Sequence, residues 1–316
     1  IALKIQDIND NLKTSLKTID DKDQKRNMKK NAKSKQKKFL VFGIIVNIGI
    51  LWFLKYSYLF SYFLNNISLF KFHGISLPSF KFLLPLGISY YTLQAISYIV
   101  DVYRGQIKAD KNFIKVALFL SFFPQMVEGP IGRYNKLADQ LYEPHSITEK
   151  NLKYGFELIL WGYFKKMVIA DRIAIYANEV FNNYAQYNGI VILIGIICYT
   201  IQIYAEFSGG IDIVRGVASL FGITLEENFR RPFYAKSIDE FWRRWNITLG
   251  SWLRDYIFYP VSLSKATTKI SLFSEKLFKK TYISKLIPVA FSLLFVWLGN
   301  RNLAWSWIKI CCIWNV

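Results

Sequence analysis

The sequence predicts an all-α, multi-pass membrane protein, and three observations carry that reading. Of the 316 residues 53% are apolar and mean hydropathy is +0.19, more greasy than an ordinary soluble domain. The apolar residues gather into long runs, at 39–64, 82–102, 113–127, 156–170, 190–205 and from 287 onward. Positive charge is concentrated ahead of the first run: residues 1–38 hold twelve Lys/Arg against five Asp/Glu, within a net charge of +19. A basic block directly before a span marks the cytoplasmic side of a membrane. On a soluble fold the same charge would suggest a nucleic-acid binder, but no basic groove with stacking aromatics accompanies it, so no nucleic-acid partner is expected. Anionic lipid headgroups are the natural partner of the lysines.

The elements follow in order. The 39–64 run, interrupted by Lys55 and a few polar residues, is long enough to cross a hydrocarbon core of roughly 30 Å. Shorter runs are expected to be tilted, re-entrant or packed against other helices. An aromatic loop with His73 leads to Pro78, Pro85 and Gly87, and the 82–102 run then carries Tyr90, Tyr91, Thr92 and Gln94. Tyr and Trp at span ends read first as interfacial anchors.

Ser121 to Pro130 reads SFFPQMVEGP, with Arg133 and Tyr134 just beyond. Two prolines, a glycine and an acid cannot continue a regular spanning helix, so a broken or re-entrant segment lining a polar interior is expected, with Gln125, Glu128 and Arg133 as its polar groups. A plain helix-ending loop is the simpler alternative. After the 190–205 run come Glu206, Asp212 and Arg215. Carboxylates in that context should face protein or water rather than lipid. Gly209-Gly210 marks either a kink or close helix packing.

The most polar stretch between apolar spans is SIDEFWRRWNITLGSWLRDYIFYP, Ser237 to Pro260. Ser237 with Glu240 fits a capping box, and Pro260 supplies a stop. On one helix from Ser237 onward, Trp242, Asn246, Leu249 and Leu253 share a face, with Phe241, Trp245 and Trp252 on another. Two readings stand side by side: a site whose polar groups justify their intramembrane cost, or an interfacial helix whose arginines meet lipid phosphates. Cys198, Cys311 and Cys312 lie in apolar surroundings without metal-ligand spacing, so buried thiols and no metal site are expected. No signal peptide is visible and the chain opens on Ile1, which leads to the expectation of a fragment with spans missing upstream.

Four ordered motifs carry a resemblance: PLGISYYTLQAISYIVDVYRG from Pro85, FPQMVEGPIGRY from Phe123, YAEFSGGIDIVRG from Tyr204, and NFRRPFYAKSIDEFWRRWNITLGSWLRDYIFYP from Asn228. Together, over roughly residues 39–298, they resemble the membrane-bound O-acyltransferase family. Within it the chain is most similar to the bacterial branch of alginate O-acetylation and teichoic-acid D-alanyl transfer. The resemblance implies a ring of transmembrane helices around a tunnel with re-entrant segments, in a bacterial plasma membrane. It implies transfer of an acyl group, acetyl on the alginate-like side, from a cytoplasmic thioester donor (acetyl-CoA or an acyl carrier protein) to hydroxyls of a cell-envelope polysaccharide. D-alanylation of teichoic acid is the runner-up, and an extracytoplasmic acyltransferase partner protein is implied as well. No bound cofactor is implied.

The family's chemistry is attributed to a late histidine, usually in Trp-His-Gly, together with an earlier His or Asn in the Phe-Trp-Arg-Arg-Trp-x segment; Asn246 occupies that earlier position. An alcohol becomes a good nucleophile only when a base takes its proton, which suits imidazole. An amide such as that of Asn246 could donate to the oxyanion of the tetrahedral intermediate. Arg243 and Arg244 could bind donor phosphates, or serve in structural pairs, and Arg254 with Asp255 could pair within the membrane. Gln125, Glu128, Arg133, Glu206, Asp212, Trp242 and Ser251 complete the candidates for lining the tunnel.

The departure from the pattern is that this chain carries only His73 and His145, neither in the late position, and both read as loop histidines. Where the histidine motif is expected stands Asn300-Arg-Asn-Leu-Ala-Trp305. If Asn302 to Trp305 is encoded AAT-TTG-GCA-TGG, reading one base later gives Ile-Trp-His-Gly, so a shifted reading frame is the expected origin of the tail. The expected organisation is a basic cytoplasmic segment at 1–38, an incomplete acyltransferase core at 39–298 and an atypical tail at 299–316. Two readings of other classes stay open: a transporter or channel using Glu128, Glu206, Asp212 and the arginines as a path, and an inactive membrane scaffold.

Overall fold

The computed structural model describes the backbone of residues 1–66, 87–279 and 281–313, and the side chains of 1–54, 87–126, 128–279 and 281–299. His73, Pro78 and Pro85 lie outside the described residues. So do the side chains of 300–316, on which the expectation of an atypical tail rests. The chain divides into two compact units, Ile1–Leu225 and Glu226–Val316. Among the described residues both are helical, apart from one isolated bridge between Phe229 and Trp245. The all-α prediction holds. Among the described residues three helices contain stretches long and apolar enough to cross a membrane: Lys22–Leu54, Gly189–Leu220 and Tyr282–Gly299.

In the first unit, helix α1 (Ala2–Lys17) and the first part of α2 (Lys22–Asn66) are built from the basic segment. Helix α1 is held by burying Ile5 against Tyr98, Ile99 and Val102 of α3 (Ile88–Arg104). Gln36 Nε2 donates to the Ile5 carbonyl at 3.2 Å, and Gln6 accepts from the Ala109 N–H at 2.8 Å. Helix α3 ends in a left-handed Gly105 (φ 73°): its N–H reaches the Val102 carbonyl and the Gln106 N–H that of Asp101, so the last carbonyls stay bonded.

The 113–127 run is broken, as the prolines and glycine of Ser121 to Pro130 predict. Asn112 caps α4 (Phe113–Ser121) by accepting from the Ile114 N–H at 2.9 Å. Phe122 is extended, and α5 (Phe123–Glu128) restarts with Pro124 in its first turn, where the missing N–H costs nothing. Phe122 and Phe119 pack with Leu137 of α6 (Tyr134–Tyr142), Ala218, Ile223 and Leu225.

Helix α7 (Glu149–Tyr163) runs through a π-helical stretch, Phe164–Ala170, into α8 (Asp171–Asn182). It packs antiparallel on α9 (Gly189–Leu220), whose N-terminus Asn188 caps through the Val191 N–H at 3.0 Å. Two glycine pairs set the approach. A Cβ on Gly162 would lie 2.5 Å from the Gly209 carbonyl oxygen, and one on Gly155 2.9 Å from that of Gly216. Gly209 therefore serves close packing, and α9 continues through the pair as one helix.

In the second unit α13 (Lys265–Phe278) packs on α14 (Tyr282–Ile313), which contains Pro288. Proline has no N–H to return to the carbonyl four residues earlier, that of Ser284. The hydroxyl of Ser274 on α13 reaches the vacancy in a buried spot, 2.8 Å from the Ser284 carbonyl and 2.9 Å from that of Ser271, its one hydrogen shared between them. A freed carbonyl at membrane depth is thereby satisfied by a neighbouring helix.

Candidate functional site

In the first unit, polar groups converge where α5 and the π-helical stretch meet α9. Lys165 Nζ donates to Asp212 Oδ2 at 2.7 Å and to Ser208 Oγ at 3.1 Å, while Arg215 Nη1 reaches Asp212 Oδ1 at 3.5 Å. Lys166 Nζ donates to Asp171 Oδ1 at 2.5 Å and to Glu206 Oε1 at 3.5 Å. Consecutive lysines point about 100° apart on an α-helix; the wider π turn, bonded from the Asp171 N–H to the Lys166 carbonyl, lets both face carboxylates. Glu128 of α5 lies against Gly210 of α9, where the charges of Glu206 and Lys166 act on it. The side chains of Glu206 and Asp212 are 16% and 15% exposed. They face protein, as predicted, each with a lysine, and pairing is what makes such burial tolerable.

Beside this cluster Gln125, 2% exposed, accepts from Gln94 Nε2 at 2.5 Å, and its own Nε2 has no hydrogen-bond partner among the described residues. Arg133 is half-buried at the N-cap position of α6. His145 lies in the exposed loop after α6, its Nε2 2.5 Å from the Gln140 carbonyl oxygen, as a loop histidine should.

The second unit corrects the reading of 237–260 as one helix. Helix α10 (Ile238–Arg244) stops at an extended Trp245, Asn246 is left-handed (φ 44°, ψ 57°), and α11 (Ile247–Leu253) restarts from it. The shared face of Trp242, Asn246, Leu249 and Leu253 therefore does not form. What breaks the helix is pairing with the strand-like segment before it. The Arg230 N–H donates to the Arg244 carbonyl at 3.0 Å, the Ile247 N–H to the Asn228 carbonyl at 3.0 Å, and Phe229 bridges Trp245. Those bonds need Trp245 extended, and Asn tolerates the left-handed turn that follows.

The stop at Pro260 is corrected too. A π-helical stretch, Arg254–Phe258, leads into the short α12 (Tyr259–Ser262), with Pro260 in its first turn. The capping box is present in altered form. Ser237 Oγ accepts from the Glu240 N–H at 3.1 Å, but Glu240 reaches back to the Lys236 N–H at 2.7 Å rather than that of Ser237. That bond, with the Arg244 guanidinium at 2.5 Å, holds the Glu240 carboxyl below the usual carboxylate range.

Both arginines thus serve structural pairs: Arg244 with Glu240, and Arg243 with Asp239 at 2.6 Å on the exposed face. Arg254 Nε lies 3.3 Å from Asp255. Trp242 packs edge-on against Trp297, and Ser251 Oγ donates to the Thr248 carbonyl at 2.9 Å. The amide of Asn246 is half-buried and makes no hydrogen bond among the described residues. No group of three or more His, Cys, Asp or Glu that could hold a metal occurs among the described residues.

The family profile of the membrane-bound O-acyltransferases matches residues 106–278, which takes in both polar clusters. The chain belongs to the membrane-bound O-acyltransferase family. Its similarity extends to a probable alginate O-acetylase of Pseudomonas syringae pv. tomato, 38% identical over 224 residues, covering 70% of this chain and 42% of the relative. A peptidoglycan O-acetyltransferase of Helicobacter pylori is 34% identical over 250 residues, 71% of this chain and 46% of the relative. A teichoic acid D-alanyltransferase of Bacillus subtilis is 30% identical over 184 residues, 55% and 44% respectively. The chain spans somewhat less than half the length of these relatives. Membership and the three spanning-type helices make this acyltransferase relative a membrane protein.

Of the predicted site residues, Glu128, Glu206 and Asp212 come together in the first unit, near the Gln125 pair. Trp242, Arg243, Arg244, Asn246, Ser251, Arg254 and Asp255 stay within one local assembly in the second. Lys165, Lys166, Asp171, Asn228 and Thr248 were not foreseen. A lysine pair inside the 156–170 run was the available signal for the first two.

Proposed function

We propose that this chain is part of a membrane O-acyltransferase that moves an acetyl group from a cytoplasmic thioester donor, acetyl-CoA or an acyl carrier protein, to hydroxyls of a cell-envelope polysaccharide. The observation that carries the reading is family membership, with acetyl-transferring relatives at 34–38% identity against 30% for the D-alanyl-transferring one. The core is assigned to 39–298, as a ring of helices around a tunnel that also takes an extracytoplasmic acyltransferase partner. The segment 1–38 is assigned to the cytoplasm, and 299–316 to a shifted reading frame.

In the reaction, the acceptor oxygen attacks the thioester carbonyl while its proton passes to a base. The tetrahedral oxyanion then collapses to the ester and expels the thiolate, which takes up a proton. Asn246 is assigned as the donor to that oxyanion, since its amide is uncommitted to other groups. The base is assigned to a histidine encoded in the frame beside codons 302–305, because His145 stands in an exposed loop. The cluster of Lys165, Lys166, Glu206 and Asp212 is assigned to holding the bundle rather than to an ion path, since Asp212 lies against Lys165 and Glu206 against Lys166.

Membranes containing the intact gene product, supplied with labelled acetyl thioester or labelled D-alanyl thioester, test the reading. Acetyl label in alkali-labile ester on envelope polysaccharide is expected. D-alanyl label alone would replace the substrate assignment, and no transfer of either would favour a scaffold.

A further inference from the structure

We propose that Asn228 is a positioning residue for Asn246, an assignment that rests on the reading of Asn246 as a site group. The first N–H groups of any helix lack intrahelical partners, and the side chain of the N-cap residue normally takes one of them. In α11 the N-cap residue is Asn246, a residue type well suited to that task, yet its side chain makes no capping hydrogen bond. The work is done from eighteen residues upstream instead. Asn228 Oδ1 accepts from both the Thr248 N–H at 3.1 Å and the Thr248 hydroxyl at 2.6 Å, and the Asn228 carbonyl accepts from the Ile247 N–H at 3.0 Å.

Asn228 and Thr248 are each 2% exposed, so this substitute cap is sealed from solvent. On the other side of Asn246, the bond from the Arg230 N–H to the Arg244 carbonyl and the Phe229–Trp245 bridge pin the end of α10. The backbone is thereby clamped before and after position 246, forced left-handed between the clamps, and the Asn246 amide is released from capping. A capping Asn246 would point its amide back at its own helix. With Asn228 in its place the amide is presented elsewhere, at an orientation fixed by a buried contact.

The test uses the intact gene product in membranes. Asn228→Leu and the milder Thr248→Val are each expected to lower kcat for acyl transfer at least about ten-fold while KM for the thioester moves less than about two-fold, with Thr248→Ser keeping near-normal transfer. Asn246→Gly should lose transfer, and adding Asn228→Leu to it should lose no more, because the two act through one group. Independently of activity, with the native cysteines replaced by serine, labelling of Asn246→Cys by a maleimide should change rate at least about three-fold when Asn228→Leu is added.

An unchanged labelling rate overturns the positioning role. Full transfer by Asn228→Leu, beside loss in Asn246→Gly, overturns it too and leaves the site reading standing. Full transfer by Asn246→Gly overturns the site reading itself. A merely structural Asn228 would instead show equal losses of folded yield and transfer, with kcat per folded molecule and KM both unchanged and additive loss in the double variant.

Discussion

The ammonium of Lys165 lies 2.7 Å from Oδ2 of Asp212, across the interface between the π-helical stretch and α9, with both side chains largely withdrawn from solvent. Breaking such a pair leaves one charge stranded, which costs about 3–5 kcal/mol. Asp212→Asn or Lys165→Met alone should therefore sharply reduce folded, detergent-stable protein. Lys165→Met combined with Asp212→Leu should recover part of it, because the lysine and the aspartate go together and Arg215, which gives up its contact with Asp212, keeps the Tyr154 hydroxyl. Thermal unfolding of the purified variants followed by size exclusion decides this. A double variant no better than the singles would mean that Ser208 and Arg215 depend on the charges.

Asn246 separates backbone from chemistry. Its left-handed conformation suits glycine at least as well as asparagine, whereas alanine there costs about 1 kcal/mol. Asn246→Gly should fold and insert as the parent does, and Asn246→Ala should be slightly less stable but still membrane-inserted. Both should lose acyl transfer in the intact gene product. Normal transfer by either removes Asn246 from the site.

The hydroxyl of Ser274 stands in for the N–H that Pro288 lacks. Ser274→Ala should cost about 1–3 kcal/mol, the cost of a buried carbonyl left unsatisfied. Adding Pro288→Ala restores a main-chain donor to the Ser284 carbonyl, so the double variant should be more stable than Ser274→Ala. A scan of unfolding temperatures over the three proteins checks the order.

Glu240 carries a pH dependence whose sign follows from its surroundings. Its carboxyl is held below the usual range by the Lys236 N–H first and the Arg244 guanidinium second. A group depressed in the folded state stabilises above its unfolded pKa, and that contribution is lost as pH falls through the folded value. The second unit should thus weaken on acidification below the ordinary carboxylate range. In Glu240→Gln the same titration should be flatter, a small difference because the pair is partly exposed.

Much of this was readable in advance from residues whose local rules face no competition. Pro124 and Gly129 announced the break in the 113–127 run, Ser237 announced the start of α10, and Glu206 and Asp212 in apolar company required partners within the protein. The misreadings occur where distant segments override local rules. Periodicity carries the helix pattern straight through Asn246, and only pairing with 228–230 overturns it. Lys165 and Lys166 pass unmarked within the 156–170 run, because a regular helix would send them to different faces and nothing local announces the π turn that brings both inward. The division of the chain into clusters within separate units had no sequence signal at all.

The glycine pairs between α7 and α9 recur at seven residues, Gly155 with Gly216 and Gly162 with Gly209, and Lys165, beside Gly209, reaches back to Asp212, which stands between the two glycines of α9. Slide one helix by a single turn and each glycine loses its glycine partner while each charge loses its mate. The contact therefore works as a vernier with one coincidence. Apolar surface alone would accept many alignments of the two helices; the glycines and the charges agree on this one, so the contact that packs the helices is also the one that assembles the polar cluster.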